Sequence, residues 1–346
     1  MSKGRKILLG FVWLLVAIIL WATLRDTEWS QVLDAFQRLQ PGQIGILIFL
    51  NAGLIVLFGT RWWLILGKLG WPVPLANVAL YRLGAFSISY FTPGPQFGGE
   101  PLQVHLLRKH HQLPGPTAGA SVGLDKLFEL LANFGFLMLG IIVVLTSDIL
   151  PGNPGWGGPM IGALLLLVPV AYLFALSRGR LPLSAAIREV IETGLLGEAW
   201  TQRLAGVLET ESQMGQFCMQ SNTALLQVLG LSMLFWIGLV VEYSLALNFL
   251  GDSFSLLEVI AVITAARVAF LLPLPGGLGA LELSQILMLQ ALGAPAELGV
   301  TISLFIRGRD ILFGLVGLAV AGIYLRRAGQ EEIHSPEDPV GDSDHG

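Results

Sequence analysis

Charge and cysteine are what this sequence has little of. Only 13% of its 346 residues are Asp, Glu, Lys or Arg, against about 25% in an ordinary soluble domain, while 54% are hydrophobic and the mean hydropathy is +0.70. This composition excludes an ordinary soluble domain and indicates a membrane protein. The net charge of −4 is small, so nothing points to a nucleic-acid partner. Six of the 24 Asp and Glu lie in residues 330–346, which read as a disordered polar tail. Cys218 is the only cysteine, which rules out an intrachain disulfide or a cysteine-based metal cluster. His105, His110 and His111 lack metal-ligand companions at standard spacing and read as surface histidines. No metal, cofactor, nucleotide-binding motif or catalytic residue is expected.

Long apolar runs are what the sequence has instead. After a basic start, residues 7–24 carry no charge and span about 27 Å as a helix. A signal peptide would have a shorter apolar region and a small-residue cleavage site; this run ends in Trp21, Leu24 and Arg25, so an uncleaved anchor is expected. Residues 44–60, 117–147, 159–177, 223–251 and 296–325 are each long enough to cross a hydrocarbon core about 30 Å thick. The expectation is six full crossings. Residues 75–111 and 255–292 are pairs of short apolar arms broken by Pro/Gly clusters, and each reads as a re-entrant hairpin. With the N-terminus cytoplasmic, most Lys and Arg fall on the cytoplasmic side, including Lys3, Arg5, Lys6, Lys68, Arg108, Arg178, Arg188 and Arg326; Arg25 and Arg38 fall outside. Both termini are then cytoplasmic. The connection 178–221 carries Leu183, Ile187, Val190, Leu204 and Leu208 at helical spacing and reads as one or two amphipathic helices on the inner surface. The expected fold is an all-α polytopic membrane protein with a single membrane domain over residues 1–329.

The hairpins are related. An offset of 182 residues lays Pro93 and Gly94 on Pro275 and Gly276, Gly98 near Gly279, and Glu100 on Glu282. The same register pairs Ser121 with Ser303, Leu124 with Ile306, Gly135 with Gly317 and Gly140 with Gly322. Three expected crossings separate the hairpins, so they enter from opposite sides, giving an inverted repeat over about 75–147 and 255–329. Such repeats, with broken helices meeting near the midplane, are common in secondary transporters. The hairpin residues Pro93, Gly94, Gly98, Gly99, Pro275, Gly276, Gly277 and Gly279 free backbone polar groups, which are tolerated at depth only where protein or a water-filled cavity satisfies them. The helices that follow should begin near Phe97 and Leu278, and their N-termini are candidate anion sites.

Charged residues interrupt the apolar runs. Asp125, Lys126 and Glu129 each oppose insertion by about 2.5–3.5 kcal/mol, up to roughly 9 together, and residues 127–145 return roughly 4–8. Insertion is near break-even unless these charges are paired or face a polar cavity. Arg307 is the register counterpart of Asp125, within a run that includes Arg309 and Asp310, and suggests cross-repeat pairing. Arg82 and Arg267 lie one helical turn apart in the same register. The candidate headgroup-binding set is therefore Arg82, Glu100, Asp125, Lys126, Glu129, Arg267, Glu282 and Arg307, for each of which purely structural pairing is the rival reading. Glu242 lies deep in its own run without a repeat partner. Arg61, Lys68, Arg108 and Lys109 read as snorkelling to the inner interface, and Trp62 and Trp63 as interfacial anchors.

The segment Arg61-Trp62-Trp63, the stretch from Tyr90 to Gly94 and on to Glu100, Asp125-Lys126 with Glu129, and Pro273 to Gly279 with Glu282 and Arg307 together resemble the flippase-like transmembrane family of lysylphosphatidylglycerol synthase. The first hairpin departs from that pattern with Pro95-Gln96-Phe97 between its glycines, and Asp-Lys stands where the family more often has Glu-Arg. The resemblance implies a prokaryotic inner-membrane protein that moves a phospholipid or lipid-linked headgroup across the bilayer. The best-described members move an aminoacylated phospholipid, and others stand beside glycolipid or hopanoid pathways. The residues after Arg327 are too few for the aminoacyl-transfer domain of the two-part synthases, so no synthase activity is expected. Membrane lipids are the expected partners, with a lipid-modifying enzyme or glycosyltransferase beside them. The alternatives are an accessory subunit or membrane-embedded enzyme of a glycolipid or hopanoid pathway, and a small-anion transporter.

Overall fold

The structure, a computed structural model, describes residues 21, 24–25, 27–92, 98–147, 149, 157–193, 197–220, 222–251, 253–272 and 274–333. Most of the anchor expected at 7–24, Pro93 and Gly94 of the first hairpin, and the tail beyond Ile333 lie outside the described residues.

Among the described residues the fold is all-α, with no strand. The first five helices are α1 (Trp29–Gln37), α2 (Pro41–Lys68), α3 (Leu75–Phe91), α4 (Glu100–His111) and α5 (Gly115–Thr146). Next come α6 (Gly157–Ser177), α7 (Pro182–Glu192) and α8 (Glu198–Gln220). The last four are α9 (Asn222–Leu250), α10 (Leu256–Leu271), α11 (Ala280–Ala291) and α12 (Ala296–Ile333), with a 3-10 turn over Pro275–Gly277. Local signals account for several starts. Gln43 Oε1 accepts the Gln40 N–H at 2.9 Å around Pro41 at the start of α2, and Ser255 with Glu258 forms the capping box of α10. Gly276, Gly277 and Gly279 all have positive φ, which lets the chain reverse between α10 and α11 at little steric cost.

By length and composition four described helices can cross a membrane: α2, α5, α6 and α9. The crossing expected at 296–325 is part of the 38-residue α12, which carries Arg307, Arg309 and Asp310 within its first half. The helices after the two turns begin at Glu100 and Ala280, two to three residues later than the sequence suggested.

The repeat register is visible in the element boundaries. Moved on by 182 residues, α2, α3, α4 and α5 fall on α9, α10, α11 and α12, within two residues at every boundary except the last. The correspondence in helix boundaries thus starts earlier than residues 75 and 255 and takes in one long helix before each pair of short ones. The two sets interlock. α3 packs on α12, and α10 packs on α5. At the first crossing a Cβ on Gly317 would sit 2.2 Å from the Leu83 carbonyl oxygen; at the second, a Cβ on Gly140 would sit 1.7 Å from Thr264 Oγ1. Small residues allow this backbone approach where lipid supplies no hydrophobic drive for helix association.

Several side chains sit deeper than the sequence reading placed them. Trp62 is fully buried, its indole N–H donating to Ser121 Oγ at 3.3 Å, while Trp63 remains exposed. His110 and His111 are half-buried: His111 Nε2 lies 3.1 Å from the Tyr81 hydroxyl, and the His110 ring packs edge-on against Tyr324. In the 178–221 connection α8 lies against α5, with Thr210 over Gly119 and Met214 over Gly123. Buried Glu211 of α8 accepts hydrogen bonds from the Leu183 N–H at 2.9 Å, the Ser184 N–H and the Tyr172 hydroxyl at 2.8 Å, tying the start of α7 to α6 and α8. Burial pushes this carboxyl up, but the hydrogen bonds outweigh it and hold it below the usual carboxylate range.

Candidate functional site

The two helix sets meet around a central cavity of ≈ 250 Å³, lined by α2, α3, α4, α5, α9, α10 and α12. Phe58, Phe86, Phe235, Trp236, Phe270 and Phe313 supply its apolar wall. Ten charged side chains also face it, five of each sign.

Six of the ten form one network on the first helix set. Arg61 Nε on α2 donates to Asp125 Oδ1 on α5 at 2.7 Å, and its Nη2 reaches the Asp125 carbonyl at 3.1 Å. Arg82 on α3 pairs with the other oxygen of Asp125 and with Glu129 Oε2 at 2.6 Å. Lys126 Nζ bridges Glu129 at 2.9 Å and Glu100 at 3.1 Å. The Arg82 guanidinium also lies 3.6 Å from the centre of the Phe58 ring, a cation–π contact that gains strength away from water. Three cations and three carboxylates thus neutralise one another in the middle of α5, where unpaired charges would oppose insertion.

The other four charges belong to the second set. Arg309 on α12 pairs with Glu242 on α9, and its Nε and Nη2 each lie 2.9 Å from Asp310 Oδ1. Asn51 on α2 donates to the same Glu242 oxygen at 3.0 Å. Arg267 on α10 lies 5.0 Å from the centre of the Trp236 ring and 6.0 Å from that of Phe270.

Glu282 and Arg307 are elsewhere. Neither lines the cavity. Arg307 forks onto Glu282, with Nη2 to Oε2 at 2.8 Å, and donates to the carbonyls of Gly276 and Gly277 at 3.1 and 3.2 Å. Glu282 Oε2 in turn accepts the Gly279 N–H at 2.8 Å. This arginine and carboxylate hold the second turn shut. The first turn has the same plan in looser form: Glu100 accepts the Gly98 N–H at 2.8 Å and pairs with Lys126, both side chains being partly exposed. Asp125 and Arg307 do not pair with each other; the ion-pair partners of Asp125 are Arg61 and Arg82 in the first helix set, and that of Arg307 is Glu282 in the second.

A family model of the lysylphosphatidylglycerol synthase TM region matches residues 7–317 of the chain. The chain belongs to this family. It is 22% identical over 264 residues to a UPF0104 membrane protein of Methanothermobacter thermautotrophicus, covering 73% of this chain and 76% of that one. A second UPF0104 membrane protein from the same organism is 25% identical over 178 residues, 51% of this chain and 49% of the relative. No solved structure matches the chain.

Of the residues singled out from the sequence, Arg82, Glu100, Asp125, Lys126, Glu129 and Arg267 come together at the cavity, and Glu282 and Arg307 do not. The reading missed Asn51, Arg61, Arg309 and Asp310 as cavity residues and found no partner for Glu242. Arg61 does not snorkel: it is 3% exposed, because α2 runs on to Lys68 and places it two helical turns inside the end.

Proposed function

We propose that this member of the family is a lipid translocator whose headgroup site is the central cavity. The carrying observation is five cations and five carboxylates set among aromatic rings, between two helix sets that share one register. A charged headgroup needs a polar surface inside the hydrocarbon region, and intramembrane ionisable groups mark such pathways. The family takes its name from the TM region of a synthase of a phospholipid, which agrees with a lipid substrate.

In this reading the helix sets form an inverted repeat with two re-entrant hairpins and six full crossings, both termini facing the cytoplasm of a prokaryotic cell. α4 and α11 have 12 residues each, about 18 Å as helix and short of a core about 30 Å thick. That length supports arms that turn back rather than cross. The translocator has no catalytic step of its own and works beside an enzyme that makes or modifies its lipid.

The test is transport. The full chain is reconstituted into vesicles holding a trace of acyl-labelled fluorescent phospholipids, and dithionite reports how fast inner-leaflet label becomes reachable. Movement well above protein-free vesicles, slowed by Arg82→Gln, is the expected result. Movement equal to protein-free vesicles for every lipid tried would overturn the translocator reading.

A further inference from the structure

The two halves of the cavity differ in how fully their charges are used. In the half built by α2 to α5 every charged side chain has an opposite partner within 3.1 Å. In the other half two atoms do not. Glu242 is 1% exposed and gives one oxygen to Arg309 and Asn51, while its Oε2 is buried with no hydrogen-bond partner among the described residues. Arg267 Nε is likewise buried without a partner, its guanidinium resting over Trp236. Buried polar atoms without a hydrogen-bond partner are unfavourable. A donor and an acceptor of opposite charge on the same cavity are therefore complementary to a ligand carrying both signs.

Net charge narrows the ligand further. The cavity lining sums to zero, five against five. A guest with net charge would leave an uncompensated charge in a low-dielectric site, whereas an internally balanced one would not.

We propose that the ligand is a phospholipid headgroup of zero net charge, its phosphate on Arg267 and its primary ammonium on Glu242 Oε2. This deepens the proposed function and rests on the cavity being the headgroup site. Arginine suits the phosphate, since its fork donates to two oxygens at once. The ammonium suits Glu242 because it brings N–H donors to a bare carboxylate oxygen. A phosphocholine keeps the charge balance but has no N–H to donate, and a phosphoglycerol brings the phosphate with no cation. The same chemistry exists in water-soluble glycerophosphoethanolamine, so lipid and soluble sources need separate measurements.

Vesicles with the full chain would carry acyl-labelled phosphatidylethanolamine, phosphatidylcholine or phosphatidylglycerol. Phosphatidylethanolamine should move roughly tenfold faster than phosphatidylglycerol, the scale of one charge-assisted hydrogen bond, with phosphatidylcholine between. Glu242→Gln should bring phosphatidylethanolamine down to the phosphatidylcholine rate, and Arg267→Gln should slow both to the protein-free rate. Equal movement of phosphatidylethanolamine and phosphatidylglycerol by the wild type would overturn the zwitterion assignment and leave the translocator reading standing. If no lipid moves, thermal melting with each soluble headgroup decides. Stabilisation by glycerophosphoethanolamine and not glycerophosphoglycerol would uphold the headgroup chemistry for a soluble ligand and overturn lipid transport; stabilisation by neither would overturn both. Should Glu242→Gln fail to fold because Arg309 loses one of its two carboxylate partners, Arg267→Gln still carries the test, for Arg267 makes no hydrogen bond or ion pair among the described residues. An Arg267→Gln protein that melts normally yet keeps wild-type phosphatidylethanolamine transport would overturn the assignment.

Discussion

Replacing Arg307 by Ala should destabilise the protein without changing which lipid it prefers. The guanidinium is 8% exposed and Glu282 is 2% exposed. The substitution removes the fork onto Glu282 and the bonds to the Gly276 and Gly277 carbonyls, leaving a buried carboxylate with the Gly279 N–H as its remaining hydrogen bond. Taking one partner from a buried ion pair costs about 3–5 kcal/mol. At about 2 °C per kcal/mol for a chain of this size, the melting midpoint should fall by roughly 6–10 °C. Glu282→Gln with Arg307→Met removes both charges, so the double variant should lose less than the sum of the singles by about 0.5–3 kcal/mol. Tryptophan fluorescence of the purified chain in detergent, followed through a thermal ramp, measures all of this. An Arg307→Ala midpoint within ~1 °C of wild type, or strict additivity in the double variant, would refute the clamp.

Three further outcomes follow from the packing and the ion pairs. Arg61→Ala should cost about 3–5 kcal/mol in the same melt, because Asp125 keeps only Arg82 as an opposite charge, whereas a snorkelling arginine would cost less than about 1. Gly317→Ala should sharply reduce folded yield, since its Cβ would collide with the Leu83 backbone, while Gly140→Ala meets the Thr264 side chain from its Cβ outward and should be rescued by Thr264→Gly; equal rescue of both by side-chain trimming would contradict the crossing geometry. For Glu211 the folded-state carboxyl lies below its unfolded value of about 4.3, so its stabilisation is complete above that pH and is lost as pH falls through the folded value. Glu211→Gln should therefore melt below wild type at pH 7 and converge with it in acid, with hydrogen exchange at the start of α7 rising in parallel; a constant gap down to acid pH would contradict this sign.

Composition carried the helical class, because it is a property of local sequence, and the 182-residue offset reappears in the helix boundaries. Side-chain partnership was harder to see. Arg61 was misplaced by ending an apolar run at residue 60, although Trp62, Leu64, Ile65 and Leu66 continue the apolar character past it and could have shown that the helix goes on. Pairing Asp125 with Arg307 mistook equivalence for contact: residues at equal register occupy symmetric places, which is a different thing from adjacent ones. Glu242 looked solitary because its partner Arg309 is not at its register position, and the fold supplies it by packing α9 beside α12. Trp62 was read from the usual habit of tryptophan at interfaces, and only the three-dimensional position of Ser121 shows why it is buried.

The polarity of the two halves links insertion to binding. One buried ion pair joins α2 to α5, with the cation on the earlier helix; one joins α9 to α12, with the anion on the earlier helix. Unpaired, the charges of α5 alone would oppose insertion by up to roughly 9 kcal/mol, about what its apolar residues recover. Pairing relieves that cost and accounts for nine of the ten charged side chains around the cavity. It does not account for Arg267, which has cation–π contacts to Trp236 and Phe270 but no ion pair among the described residues. An intramembrane arginine without an ion pair fits the proposed phosphate contact, and Glu242 Oε2 is the one buried carboxylate oxygen at the cavity without a hydrogen-bond partner among the described residues. Exchanging Arg267 for Leu separates the two demands: insertion and melting should improve or hold, and headgroup movement should be lost.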